Sequence, residues 1–187
     1  MVIQKHYFLT TDRIGFRAWD LADVDIAMEL RNDLVATGHI KNKASTGIIY
    51  RKLLTEQKIL KLYNVQYWPI FQLKKNIFIG CCGLRPYDPN KKIYEVGVFI
   101  KQQFWRKGYA TEAARAMVGY AFNNLDAVGL CAGHSIDNAI QKRLLQKLGF
   151  DYFYDEYHSP SKGDRSIYLL QKALHDQTCD FCYKVCE

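Results

Sequence analysis

The stretch from residue 94 to residue 122 constrains the fold most, because a strand-like run gives way there to a helical stripe across a single glycine. The run YEVGVFI, Tyr94 to Ile100, is short and rich in β-branched and aromatic residues, as a strand requires. Farther on, Ala114, Met117, Val118 and Ala121 recur at helical spacing, which predicts a helix over 109–122 that starts directly after Gly108. Gly108 permits an unusual turn and leaves the backbone open, and Ala110 and Thr111 are small enough for close approach by a ligand. Unbonded amides in a first helical turn, with the helix dipole behind them and Arg106 and Lys107 ahead of them, make an anion site. An ordinary helix start preceded by basic residues accounts for the same letters. The spacing fits neither a P-loop nor the three-glycine dinucleotide fingerprint.

Around this junction the chain predicts an α/β (α+β) domain. TTDRIGFRAWD alternates as a half-buried strand before Asp20 offers a helix cap. Helical spacing follows through Ile26, Ala27, Leu30 and Leu34, and again through Ile49, Leu53, Ile59 and Leu60 after a cap at Ser45 or Thr46. VQYWPIFQL and NIFIGCCGL predict a hairpin turning at Lys74 to Asn76, with Pro69 marking an edge or a bulge. A polar loop with Pro86, Asp88, Pro89 and Asn90 leads into YEVGVFI, where Gly97 is expected to mark a bulge. GLCAGHS is a further strand, Ile140, Leu144 and Leu148 a further helix ended by Gly149, and FDYFYDEYHS and DRSIYLLQK a closing pair of strands around a loop at 160–163. A mixed, mostly antiparallel sheet flanked by helices is expected over residues 1–173, followed by an exposed tail over 174–187.

The chain has 187 residues, 49% hydrophobic and 24% charged, which is enough for one domain with a sizeable core. Its net charge of +7 comes from 26 Lys and Arg scattered among 19 acids, which speaks for a basic surface suited to an anionic ligand rather than for a nucleic-acid tract. The N-terminal residues lack the apolar core of a signal peptide and no run is long enough to cross a bilayer, so a cytoplasmic protein is expected. The six cysteines, at 81, 82, 131, 179, 182 and 186, do not form a disulfide framework, and Cys179, Cys182 and Cys186 lack a paired fourth ligand for zinc. Reduced thiols and no metal are expected.

Five ordered segments, TTDRIGFRAWDLAD, FIGCCGLRPYD, YEVGVFI, WRKGYATEA and SIDNAIQKRLLQKLGF, resemble the GNAT superfamily of N-acetyltransferases, especially its ribosomal-protein N-acetyltransferase-like branch. The resemblance spans roughly Thr11 to Gln171. It implies acetyl-CoA as cosubstrate and an amine acceptor, either a small molecule or a protein N-terminus. It also implies that backbone groups near Val98, Phe99 and Ile100 meet the pantetheine arm, where a bulged strand lies beside a diverging one. The amides of Arg106, Lys107, Gly108, Tyr109, Ala110 and Thr111 then hold the pyrophosphate, and Asn138 hydrogen-bonds the pantetheine, alongside or instead of capping a helix. Trp105 stands where the family usually has Gln or Arg, and Arg106 where the branch often has a second glycine.

Acetyl transfer needs an uncharged amine, a stabilised oxyanion and a proton for the departing thiolate. Glu95 shares a strand face with Gly97 and Phe99, and a carboxylate in mid-strand needs water or a partner. It is the candidate base, with a structural ion pair to an Arg or Lys as the alternative. The family's frequent Tyr thiolate donor is Leu145 here and the branch's frequent Ser is Gln141, which retains a hydrogen-bonding side chain. Tyr109, Tyr152 and Tyr154 are read as packing residues, and His134 as a minor alternative base. These missing donors motivate a competing expectation, a non-enzymatic acyl-CoA-binding regulatory module.

Overall fold

A computed structural model of the chain describes residues 6–136, 138–158, 163–172 and 184–185. Strands β1 (Leu9–Thr10) and β2 (Ile14–Phe16) precede helices α1 (Val24–Ala36) and α2 (Thr46–Tyr63). Then come β3 (Tyr67–Gln72), β4 (Ile77–Asp88), β5 (Ile93–Ile100), α3 (Tyr109–Asn124), β6 (Gly129–Ser135), α4 (Ala139–Lys147), β7 (Asp151–His158), β8 (Gly163–Gln171) and β9 (Lys184–Val185). The hydrophobic periods predict the elements from β2 to β8 in order, whereas β1 and β9 are additions. Among the described residues the strands form one sheet in the order β7-β8-β6-β5-β4-β3-β2-β1-β9. Only β5 and β6 are parallel, as a strand-helix-strand crossover through α3 dictates.

Two apolar layers cover the sheet. One face packs Trp68, Ile70, Leu84, Val96 and Leu130 against Met117, Val118 and Phe122 of α3 and Leu145 near the end of α4. The other packs Phe71, Phe78 and Trp19 against Leu30 and Leu34 of α1 and Leu53 of α2. Each fully buried large side chain contributes roughly 1.5–3 kcal/mol by leaving water, and Trp68, Phe16, Phe122 and Phe150 head that set.

Local chemistry explains the helix ends. Asp20 accepts from the Ala22 amide at 2.8 Å, while the Asp23 carboxylate returns a bond from the Asp20 amide at 2.8 Å and holds the buried Arg17 guanidinium at 2.6 and 2.8 Å. This capping box starts a short 3-10 turn, Leu21–Asp23, so α1 proper begins at Val24. Gly149, at φ 83°, ends the α4 segment as its position predicts.

Several expectations are corrected. Of the edge or bulge expected at Pro69, the edge is not found, since Pro69 lies within β3 between β2 and β4, while a register shift follows it between Ile70 and Phe71. Its carbonyl accepts from the Arg17 amide at 3.4 Å, just past the end of three-residue β2, so the return bond that its missing N-H cannot make falls where that short strand stops. Gly97 is not a bulge: it pairs in register with Gly83, and the register shifts fall elsewhere, between Ile70 and Phe71 and between Pro86 and Asp88. Gly97 is needed because a Cβ there would stand 2.8 Å from the Tyr67 ring. The loop expected at residue 86 shrinks to a 3-10 turn, Pro89–Lys91, since β4 continues to Asp88. Within the segment expected as a tail, Lys184–Val185 pair with β1. Cys179, Cys182 and Cys186 lie outside the described residues.

Candidate active site

The loop between β5 and α3 is shaped by two residues in the left-handed region, Arg106 at φ 58° and Gly108 at φ 82°. Arg106 therefore keeps the backbone form that glycine would adopt freely, at a cost of about 1–2 kcal/mol. The first bond of α3 runs from the Glu112 amide to the Gly108 carbonyl at 3.1 Å, so the amides of Tyr109, Ala110 and Thr111 precede the helical ladder. Arg106, Lys107 and Gly108 are exposed, Ala110 and Thr111 are half-buried, and Tyr109 is buried, its hydroxyl held by Gln72 at 2.7 Å.

This helix end is braced from a distance. Glu112, an acid in the first turn of α3, would oppose an anionic ligand if left bare. Arg13, from the turn between β1 and β2, neutralises it through Nε at 2.7 Å and NH2 at 2.5 Å, and its NH1 also donates to the Lys107 carbonyl at 3.0 Å. Thr11 adds a bond to the same carboxylate at 2.5 Å. On the other flank the Asp33 carboxylate accepts from the Gln102 amide at 3.0 Å, and the Trp105 indole donates to the Ile100 carbonyl at 2.6 Å. None of these long-range contacts is read from the sequence. An acidic residue in the first turn of a helix that follows basic residues is the signal that points to a partner cation such as Arg13.

Pairing between β5 and β6 covers Ile93, Tyr94 and Glu95, opposite Gly129, Leu130 and Cys131, and then stops. On its other edge β6 pairs with β8 throughout, from Gly129 opposite Gln171 to Ser135 opposite Arg165, while β5 stays with β4. The two parallel strands thus part directly after Glu95, at the end of β5 that leads into the α3 loop. Phe99 turns its carbonyl toward β4, where it lies against Gly80. Backbone groups alternate sides along a strand, so Val98 and Ile100 turn theirs toward β6, and the Ile100 carbonyl is already bonded to Trp105.

Glu95 lies on the α1 and α2 face of β5, opposite the side on which Val96, Val98 and Ile100 join the α3 core. Arg165 donates to Glu95 at 3.1 Å and to Glu156 at 2.6 Å. The two carboxylates hold the Arg165 proton more tightly than usual, although burial works against that charge. Near them Glu56 and Arg85 form an ion pair, and the Arg85 guanidinium sits 4.1 Å from the centre of the Tyr67 ring. Burial, with the Glu95 charge adding, raises the Tyr67 phenol well above its ordinary range. Burial likewise pushes the Cys131 thiol up to about 12, with Glu95 again adding. The structural alternative for Glu95, an ion pair, is therefore present, and its carboxylate stays part-exposed at 27% of its side-chain area.

Residues 13–151 match the profile of the acetyltransferase (GNAT) domain. The chain belongs to the GNAT acetyltransferase family. Its relatives include the uncharacterized protein YkkB of Bacillus subtilis, 28% identical over 77% of this chain and 85% of that protein. Another is the uncharacterized N-acetyltransferase p20 of Bacillus licheniformis, 25% identical over 76% of this chain and 81% of the relative. Among solved structures, a RimL ribosomal alpha-N-protein acetyltransferase in complex with coenzyme A shares the fold, with TM-score 0.78 at 14% identity, covering 89% of this chain and 98% of its own. The protein is accordingly an acetyl-CoA-dependent N-acetyltransferase with the single-domain α/β fold of that family.

In this GNAT domain Asn138 caps α4: its Oδ1 accepts from the Gln141 amide at 3.1 Å, and its Nδ2 donates to Gln141 Oε1 at 2.9 Å. Gln141 is thereby turned to Asn138, and Leu145 is a buried core residue with no donor. Tyr154 bonds Tyr87 at 3.1 Å and Glu156 at 3.2 Å, contacts that raise its phenol, Tyr87 contributing most. Tyr152 is 57% exposed on β7. Among the described residues no cluster of His, Cys, Asp and Glu suits a metal ion, and no helix is long and apolar enough to cross a membrane.

Proposed function

We propose that the protein transfers the acetyl group of acetyl-CoA by direct attack of a primary amine, carried by a peptide N-terminus or a small molecule, with Glu95 as the base. The observation that carries this is the parting of β5 and β6 immediately after Glu95, next to the doubly left-handed turn at Arg106 and Gly108. The amides from Arg106 to Thr111 hold the pyrophosphate, with Arg106 and Lys107 adding charge. The pantetheine arm takes the place of the missing ladder partner along the β6-facing groups of Val98 and Ile100, with Phe99 behind them and Asn138 and Gln141 bordering the gap.

The acceptor approaches from the α1 and α2 face. There the part-exposed Glu95 carboxylate is the group placed to meet a cationic amine. Glu95 takes the ammonium proton, directly or through water, and the freed lone pair attacks the thioester carbon. Arg165 fixes the carboxylate in place for this step.

Calorimetry with coenzyme A tests the cosubstrate site: the parent chain binds, and Gly108→Trp does not. An amine screen with Glu95→Gln tests the base, which is expected to lose roughly 100-fold or more in kcat while coenzyme A affinity stays unchanged. Activity retained within threefold would assign Glu95 to the ion pair alone. Firm coenzyme A binding without acetylation of any amine would favour the regulatory module.

A further inference from the structure

His134 is one of the few buried side chains with an unpartnered polar atom among the described residues. It is 4% exposed, lies on β6 past the last β5 pair, and stacks on Tyr168 at 5.2 Å between ring centres. Side chains alternate along a strand, so His134 shares the α3-side face with Leu130 and Ala132, opposite the face that carries Glu95. Nδ1 is 2.7 Å from the Ser135 carbonyl. A carbonyl only accepts, so Nδ1 carries a ring proton, and in the neutral form of this ring Nε2 is left with a bare lone pair. That Nε2 is buried and has no hydrogen-bond partner. An unsatisfied buried nitrogen is costly, and a donor arriving between the parted strands recovers that cost.

We infer that His134 Nε2 is the proton carrier for the departing thiolate, and that in the product complex it accepts the S-H of coenzyme A. This rests on the acetyl-transfer function proposed above. Leu145 has no donor, and the Gln141 carboxamide, whose Oε1 accepts from Asn138, can donate a hydrogen bond but cannot carry a proton. In the tetrahedral adduct, nitrogen and sulfur are bonded to one carbon, so one Nε2 reaches both. The C-N bond has formed, and the C-S bond breaks with its electron pair going to sulfur. The proton on nitrogen passes to Nε2 and from Nε2 to sulfur, leaving His134 neutral again, while the proton taken earlier by Glu95 leaves to water. Base and acid then stand on opposite faces of the same parted sheet.

The test compares coenzyme A with desulfo-coenzyme A, in which hydrogen replaces the thiol. The parent chain is expected to bind coenzyme A roughly three- to tenfold more tightly, the equivalent of one buried hydrogen bond. His134→Phe closes that gap, and His134→Gln, whose amide still reaches sulfur, retains part of it. In the parent chain, the Nε2 resonance of His134 in imidazole-labelled protein shifts on adding coenzyme A and not on adding the desulfo analogue, which needs no variant to fold. Equal affinity for the two ligands with an unmoved resonance overturns the inference while leaving acetyl transfer intact. Failure to bind either ligand overturns the underlying function instead.

Discussion

Replacing Arg106 separates backbone geometry from charge at the pyrophosphate turn. Its φ of 58° places a residue with a β-carbon in the left-handed region, at a cost of about 1–2 kcal/mol relative to ordinary backbone. Arg106→Gly removes that cost but adds roughly 0.5–1 kcal/mol of backbone entropy lost on folding. The net is a stabilisation between about 0 and 1.5 kcal/mol, and for a chain of this size a rise in Tm of at most about 6 °C. Arg106→Val goes the other way, because a β-branched side chain is a true outlier there, and loses at least about 2 °C. Coenzyme A affinity follows charge rather than strain: the Gly and Val variants both weaken binding roughly two- to fivefold, as an exposed phosphate contact would. Differential scanning calorimetry and titration calorimetry on the three proteins read both effects. A Gly variant that melts more than about 2 °C below the parent, or a Val variant that melts with it, refutes the left-handed turn as the reason for the ordering.

Gly83→Ala is expected to cost about 3 kcal/mol or more in chemical denaturation, because the new Cβ would lie 1.9 Å from the Gln66 carbonyl oxygen, whereas Gly163→Ala, with nothing within 4 Å, is near neutral. Arg13→Ala leaves the Glu112 carboxylate uncompensated beside the pyrophosphate and should weaken coenzyme A binding roughly threefold to tenfold, with the deficit shrinking as salt rises; equal affinity at low salt would refute the bracing role. Cys81, Cys82 and Cys131 are buried, and burial holds the thiols of Cys81 and Cys131 near 12, so native protein at pH 8 should leave all three unalkylated in peptide mapping while unfolded protein labels fully. Rapid native labelling of Cys131 would show that the sheet around Glu95 opens readily.

The sequence by itself determined what depends on neighbours a few positions apart. The helical stripe of Ala114, Met117, Val118 and Ala121, the caps at Asp20 and Asn138, the turn at Gly149 and the glycine opening α3 follow from local periodicity and backbone chemistry, and with them the family. The tertiary structure decided what depends on register and on charges brought together from afar. Arg165 reaches Glu95 across 70 positions and Arg13 reaches Glu112 across 99. Pro69 sits inside the sheet because β2 ends beside it, Gly97 is small because Tyr67 lies over it, and β5 parts from β6 after Glu95 while β8 stays paired along the other edge of β6. Side-chain period fixes which face a residue occupies, but the partner on that face is set by strand order and register. Those arise from the packing of the whole chain, which local propensity does not encode.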